Sequence, residues 1–322
     1  METKNYFTDT VLMVRPVAFG FNEQTADNNA FQQTGHNDGA QQKALEEFDN
    51  YTELLEAAGI RVIVVEDTPN PHTPDSIFPN NWFSTHSAKE LADEENPIKD
   101  TRPTLVLYPM YAPNRREERG KNVLDRLNEY YKEGFKQIDL SGNEKENAFL
   151  EGTGSLILDR ENKIAYACIS PRTDEDVLEE WADSLGYDYC IFEAKDSDGT
   201  PIYHTNVMMC VGSRYAIVCL DAVTDIEERM TLIEVLEESG KEILEISLEQ
   251  MESFAGNMLE LQGKDSNGKA KPVIVMSKTA KESLDSEQLH LLQNYATIVA
   301  PDLDCIEKNG GGSARCMIAE IF

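Results

Sequence analysis

Positive charge is what this sequence is short of: 29 lysines and arginines stand against 59 aspartates and glutamates, a formal net charge of -30. Such an excess repels phosphate backbones and anionic lipid surfaces, so neither nucleic acid nor a membrane is expected as a partner. Long apolar runs are missing as well. No stretch approaches the ~20 apolar residues of a membrane-crossing helix, and METKNYFTDT at the start has no apolar leader core, so a cytoplasmic location is expected. No cysteines stand in CxxC spacing. Most of the six (Cys168, Cys190, Cys210, Cys219, Cys305 and Cys316) lie inside apolar runs, which argues for reduced thiols against a disulfide framework or zinc site. A Pro- or Ser-rich linker is absent too. The chain is long enough to bury roughly three quarters of its unfolded surface, and residues 1–322 are read as a single domain.

What is present is a repeat: strand, turn, strand, helix, strand, five times over. The first strands are read as NNWFSTH from Asn80, TGSLILD from Thr153, TNVMMCV from Thr205, GNMLELQ from Gly256 and ARCMIAEIF from Ala314. Second strands follow as TLVLYPM, KIAYACIS, RYAIVCL and KPVIVMS, rich in β-branched and aromatic residues. The fifth is supplied from the other end of the chain by DTVLMVRP, residues 9 to 16, so that the terminal strands pair. RVIVVED, KQIDLS, DYCIFEA, KEILEIS and ATIVAPD are third strands. Between second and third strands the spacing predicts amphipathic helices, with Val177, Trp181 and Leu185 inward in one and Ile226, Met230, Ile233 and Leu236 inward in another. The expected fold is α/β, a five-bladed propeller of ββαβ units around a pseudo-fivefold axis, closed by the N- and C-terminal strands. Polar segments 87 to 103 and 262 to 272 are read as long hairpin loops, and 20 to 40 as a lid or a plain surface loop.

The repeat places every junction between a third strand and the next first strand at one end of the molecule. Those junctions carry Asp75, Phe78, Asn80 and Asn81, then Glu151, then His204 and Asn206, then Asn257, and last Cys316. Taken alone, Cys316 is as well read as core filling as a nucleophile. In company with a histidine and a glutamate at equivalent positions it completes a nucleophile, acid/base and orienting set. Gly310 to Gly312 offer a backbone that can approach closely, and Arg315 or His204 a charge to activate the thiol. His36, His86 and His290 have no such place, and His72 is a weak reserve in the Asp75 junction.

With LMVRPVAFGFNEQTADNNAFQ at one end and GGGSARCM at the other, the chain resembles the pentein superfamily of amidinotransferases, arginine deiminases and dimethylarginine dimethylaminohydrolases. Within it the citrulline ureidase branch is the most similar. The resemblance implies that Cys316 is the nucleophile, that His204 in YHTN is the general acid/base, and that Glu151 opens an EGG-type motif, here EGTG with Thr153 in place of glycine. It also implies that Asp75 in PDSIFPNNW lies at the substrate, and that Arg115 and Arg172 bind its α-carboxylate. No metal or organic cofactor is implied. Relatives that act on arginine carry a carboxylate at the position of Asn81 and, in the deiminases, at that of Asn206. Two amides suit a neutral ureido group better than a guanidinium, which brings only N–H donors and a charge. The expectation is therefore a hydrolase of citrulline, giving ornithine, carbon dioxide and ammonia. Alternatives left open are hydrolysis of a guanidino group, amidino transfer and a non-catalytic, partner-binding pentein; oligomeric state is open as well, a homodimer included.

Overall fold

Each β-branched run becomes a strand because its alternate side chains find a face to bury. The computed structural model describes residues 6–26, 29, 31–32, 39–92 and 97–322. Strands β1 (Thr10–Arg15) and β2 (Arg61–Glu66) belong to the first sheet, and β3 (Phe83–His86), β4 (Thr104–Leu107) and β5 (Lys136–Asp139) form the second. The third holds β6 (Ile157–Asp159), β7 (Ile164–Cys168) and β8 (Asp188–Phe192), and the fourth β9 (Met209–Val211), β10 (Tyr215–Val218) and β11 (Glu242–Glu245). β12 (Leu259–Lys264), β13 (Ala270–Val275) and β14 (Thr297–Val299) make the fifth, and β15 (Ala319–Glu320) returns to complete the first.

One pattern runs through all five sheets: the central strand is antiparallel to one neighbour and parallel to the other. A parallel neighbour requires a crossover. Helices α1 (Ala40–Ala57), α2 (Lys121–Tyr130), α3 (Glu175–Leu185), α4 (Ile226–Glu238) and α5 (Ser286–Tyr295) supply it, one per sheet. Asp174, Asp225 and Asp285 start the last three, each accepting two backbone N–H groups of the first turn. The terminal strands pair as expected, Val11 opposite Glu320 and Leu12 opposite Ala319.

Three expectations need correction. The first strands begin several residues later than read, because Pro79–Asn81, Gly152–Ser155 and Thr205–Val207 are tight helical turns and residues 253–256 and 314–317 are turns as well. On α4, Ile226 is 71% and Met230 56% exposed, while Leu232 and Leu236 are buried. Half-buried Arg229 lies one turn before Leu232 on that buried side, its Nε donating to the Val223 carbonyl at 2.8 Å. The loop read at 262 to 272 shrinks to residues between β12 and β13, because the Asp265 carboxylate accepts from the Asn267 and Lys269 amides and Gly268 takes the left-handed turn. Segment 87 to 103 contains a one-turn helix, Ala88–Leu91, with a reciprocal Ser87–Glu90 cap; its residues 93–96 lie outside the described residues. None of the six cysteines is paired, and all are buried. Among the described residues no helix is long and apolar enough to cross a membrane.

Candidate active site

The turns that displace the first strands build the site. They pack backbone to backbone, and only glycine permits it. A Cβ on Gly152, which holds φ +48°, would sit 2.4 Å from the Asn80 carbonyl oxygen, and one on Gly256 would sit 2.3 Å from that of Val207. Thr153 needs no glycine: its φ of -82° is ordinary, and its hydroxyl donates to the Asn80 carbonyl at 3.3 Å. In the same motif, a Cβ on Gly154 would meet Asn81 Nδ2 at 2.4 Å and His204 Nδ1 at 2.8 Å. The second glycine of EGTG is thus the floor on which the amide and the imidazole rest.

Glu151 is fully buried, with Oε1 accepting from the Tyr111 amide at 3.0 Å and Oε2 accepting from His204 Nε2 at 2.8 Å. Arg172 Nη1 stands 3.4 Å and Arg115 Nη1 3.9 Å from the same oxygen. Burial alone would raise its pKa; the charge of Arg172, the bond from His204 and the charge of Arg115 outweigh burial and hold it well below the carboxylate range. Burial pushes His204 down to about 4, against the pull of Glu151 and with help from Arg172 and Arg115. A carboxylate only accepts, so neutral His204 carries its proton on Nε2, and Nδ1 over Gly154 is the free base.

Cys316 is 5% exposed, and its sulfur receives two amide donors, Asn206 Nδ2 at 3.3 Å and Asn257 Nδ2 at 3.2 Å. It shares a small pocket with Asp75, Phe78, Asn81, Arg115, Arg172 and His204. The glycine run closes one wall: a Cβ on Gly310 or Gly312 would be 2.8 Å from the Phe78 ring, and Gly311 is the one of the three with positive φ. Asp75 Oδ2 accepts from Asn22 at 2.7 Å and Thr25 at 3.2 Å, and burial raises its pKa despite Arg115 nearby. Its Oδ1, Asn80 Oδ1, Asn81 Nδ2 and Asn206 Oδ1 are buried without a hydrogen-bond partner. Buried polar atoms are normally satisfied, so the Asp75 oxygen and the Asn81 donor left over in the pocket lining mark a place made for a polar ligand. A larger concavity of about 430 Å³ between Phe31, Glu252 and Asp304 is lined by neither thiol nor histidine.

The structure therefore brings all ten expected site residues together, with Asn80, Glu151 and Asn206 behind the pocket wall. Arg115 is committed more heavily than its expected role implies: it forks onto Glu118 at 2.9 and 3.0 Å and donates to Asn81 Oδ1 at 2.7 Å and the Phe78 carbonyl at 3.1 Å. Arg172 lies over the Tyr203 ring at 4.9 Å and donates to the Thr25 carbonyl at 3.3 Å. Arg315 turns away from the thiol, toward Glu320 at 3.3 Å. His72 is exposed at the Ala18 carbonyl, and His86 is bound to Glu90 at 2.7 Å in a separate buried network with Arg160. Glu118, Tyr203, Asn22, Thr25 and Asn29 also stand at the site and were not singled out. The last three come from segment 20 to 40, whose residues 27–28, 30 and 33–38, His36 among them, lie outside the described residues. Among the described residues no group of three or more His, Cys, Asp or Glu is placed to hold a metal ion.

The buried imidazole makes a pH prediction. Neutral His204 is the form able to take a proton, and a histidine whose pKa is about 4 stays neutral down to that pH. kcat/KM measured against pH should stay flat to about pH 5 and fall through about pH 4 on the acid side, where an ordinary histidine would already fail near 6.5. An acid limb centred between pH 6 and 7 would show that the base is not this buried ring.

A family model described as N,N dimethylarginine dimethylhydrolase, eukaryotic, matches residues 15–322. No curated protein sequence matches. Solved structures do: the substrate-bound N-terminal domain of ArgZ, an arginine dihydrolase from the ornithine-ammonia cycle in cyanobacteria, has a TM-score of 0.69 at 18% identity over 97% of both chains. DDAH from Pseudomonas aeruginosa, complexed with citrulline, has a TM-score of 0.63 at 12% identity over 98% of this chain and 99% of that one. Against apo ArgZ the TM-score is 0.70 at 17% identity, and this chain spans 40% of that longer one. At such identities the structural likeness establishes the mixed α/β fold, and the family model carries the rest. Matched by that model from Arg15 to Phe322, the chain belongs to the N,N dimethylarginine dimethylhydrolase family of hydrolases, in the pentein superfamily.

Proposed function

We propose that this protein hydrolyses the ureido group of citrulline. The observation that carries the reading is the pair of amides, Asn81 and Asn206, at the two positions where relatives acting on a guanidinium are expected to carry carboxylates. Asn81, which lines the pocket, offers an unpartnered donor, which suits the carbonyl oxygen of a planar neutral group and not a guanidinium, which only donates; Asn206 stands behind it on the Cys316 sulfur. Arg115 holds Asn81 by its Oδ1 at 2.7 Å, so the amide cannot turn its oxygen toward the ligand.

The chemistry follows from the geometry. Nδ1 of His204 takes the thiol proton; the sulfur of Cys316 bonds to the ureido carbon, a C–N bond breaks, and the proton goes from His204 to the departing nitrogen. The carbon stays on sulfur as a thiocarbamate. His204 next deprotonates a water, whose oxygen attacks that carbon; the C–S bond breaks, sulfur recovers a proton, and the carbamate formed decomposes. Ornithine, carbon dioxide and ammonia are the sum of the products. Glu151 fixes the imidazole tautomer throughout, Phe78 packs against the glycine wall, and Arg172 is the cation assigned to the substrate carboxylate. No step calls for a metal or organic cofactor.

One observation favours the second reading, hydrolysis of a guanidino compound as the family name describes: Asp75 keeps a buried, unpartnered carboxylate oxygen in the pocket, which a guanidinium would satisfy. The α-ammonium of citrulline would satisfy it equally. Ammonia release measured side by side on citrulline, arginine and dimethylarginine separates the two. Turnover of citrulline at least tenfold above the others is expected, and turnover of a guanidino substrate alone would end the citrulline reading.

The same proposal includes a single closed domain. Its support is that β15 lies beside β3 as well as β1, with Thr85 Oγ1 donating to the Glu320 carbonyl at 2.9 Å, and that the Gln262 amide in β12 donates to the Thr8 carbonyl at 2.9 Å. Six unpaired thiols fit a reducing cytoplasm.

A further inference from the structure

A thiol attacks as a thiolate, and something must bear the negative charge. In this site the obvious cations do not serve. Arg315 points to Glu320 and to the Ile318 carbonyl at 3.1 Å, and His204, neutral at rest, becomes a cation only by taking the thiol's own proton and gives that proton up again to the leaving nitrogen. A neutral ureido substrate brings no charge of its own. Two amide N–H groups remain, and one of them belongs to a residue to which the mechanism above gives no part.

Asn257 is 1% exposed and is held at three points. Its Oδ1 accepts from the Arg315 amide at 3.0 Å, and its Nδ2 donates to the Asn206 carbonyl at 3.0 Å and to the Cys316 sulfur at 3.2 Å. Gly256 fixes its approach, since any side chain there would run into the Val207 and Met208 backbone. The amide is thereby stitched across the turns that carry Asn206 and Cys316, with one N–H aimed at the reacting atom.

We propose that Asn257 is a catalytic residue whose Nδ2–H, together with that of Asn206, holds the charge on the Cys316 sulfur before attack and again as sulfur leaves. The proposal rests on Cys316 being the nucleophile and does not depend on which substrate it attacks. It assigns to the resting protein what a cationic substrate would otherwise bring. Hydrogen bonds to a charge are the strong ones, and loss of one changes an ionisation by about 10- to 100-fold.

Iodoacetamide, with no substrate present, reads this directly. In Asn257→Ala, alkylation of Cys316 at pH 7, located by peptide mapping, should slow by about 10- to 100-fold. Asn257→Asp keeps the acceptor for the Arg315 amide and puts a carboxylate oxygen where the donor was. It should fold and alkylate more slowly still, and kcat should fall while KM changes by less than about threefold. Alkylation of a folded Asn257→Asp at the wild-type rate would overturn the proposal and leave Asn257 a packing residue. Failure of Cys316 to label in the wild type would overturn the nucleophile reading along with it.

Discussion

Cys316→Ser should lose on the order of 10⁴ or more in kcat on citrulline and still bind it. The hydroxyl is a far weaker nucleophile at neutral pH, and it is the smaller atom in a cradle set by Asn206 and Asn257 at sulfur distances, 3.3 and 3.2 Å. Everything assigned to the ligand lies elsewhere, on Asp75, Asn81 and Arg172, so the dissociation constant should move little. The fold should be nearly indifferent, because the substitution changes one atom at a buried turn whose backbone is held by the Cys316 amide on the Ser313 carbonyl at 3.0 Å. Turnover and calorimetric titration of wild type and variant together make the test. A serine variant that turns over like the wild type would remove the sulfur from the chemistry, and one that neither turns over nor binds would show that the thiol serves the pocket's shape.

That Cys316 could be singled out at all came from position more than from its neighbours. Period-2 alternation and bounding turn residues locate all five sheets, because a strand buried on one or both faces leaves that mark in its own residues. The junction residues could then be aligned by their place in the repeat, which is how Glu151, His204 and Cys316 come together across 165 positions of sequence. The pattern does not distinguish a strand start from a tight helical turn, since Asn80, Thr153 and Asn206 are at home in either. It also misleads on α4, where Ile226 and Met230 have helical spacing but are exposed, while half-buried Arg229 shares the side of Leu232 and Leu236 and donates to the Val223 carbonyl. Hydrophobic spacing reports what could be buried, and a long side chain with an aliphatic stem can take the place instead.

Other parts of the site were not legible for a different reason. Arg115 and Glu118 are three residues apart, ordinary spacing for a surface pair on a helix, and nothing local says that both are buried and that the guanidinium reaches Asn81, 34 positions away. Asn22, Thr25 and Asn29 sit in a polar segment that could equally be plain surface. Asn22 and Thr25 meet Asp75 only in the fold. Tyr203 is hidden by its neighbour His204, yet its ring carries Arg172 and its hydroxyl donates to the Gly311 carbonyl at 2.8 Å. Residues that act through a distant partner leave no local signal.

Glu151→Gln should be the most damaging of the nearly isosteric changes, for both activity and stability. The amide oxygen can still accept from Tyr111, but the NH₂ then faces His204 Nε2–H and the guanidinium of Arg172, donor against donor. The imidazole can relieve this only by moving its proton to Nδ1, which leaves the ring in the wrong tautomer to take one from the thiol. A tautomer error of this kind in a serine protease costs about 10⁴ in kcat, and a loss of similar order is expected here. Arg172 meanwhile loses the carboxylate 3.4 Å from its Nη1, while Arg115 keeps Glu118, and removing one partner of a buried ion pair costs about 3–5 kcal/mol. The pH dependence identifies the cause. Glu151 has a folded-state pKa held below its ordinary 4.5, so its contribution is present in full above that value and is lost as pH falls toward the folded-state pKa. Urea denaturation should therefore show the wild type well ahead of Glu151→Gln at pH 7, with the gap narrowing steadily below pH 4.5. A gap that stays constant with pH would mean that the glutamine merely packs badly, since only a lost carboxylate charge makes the deficit titrate.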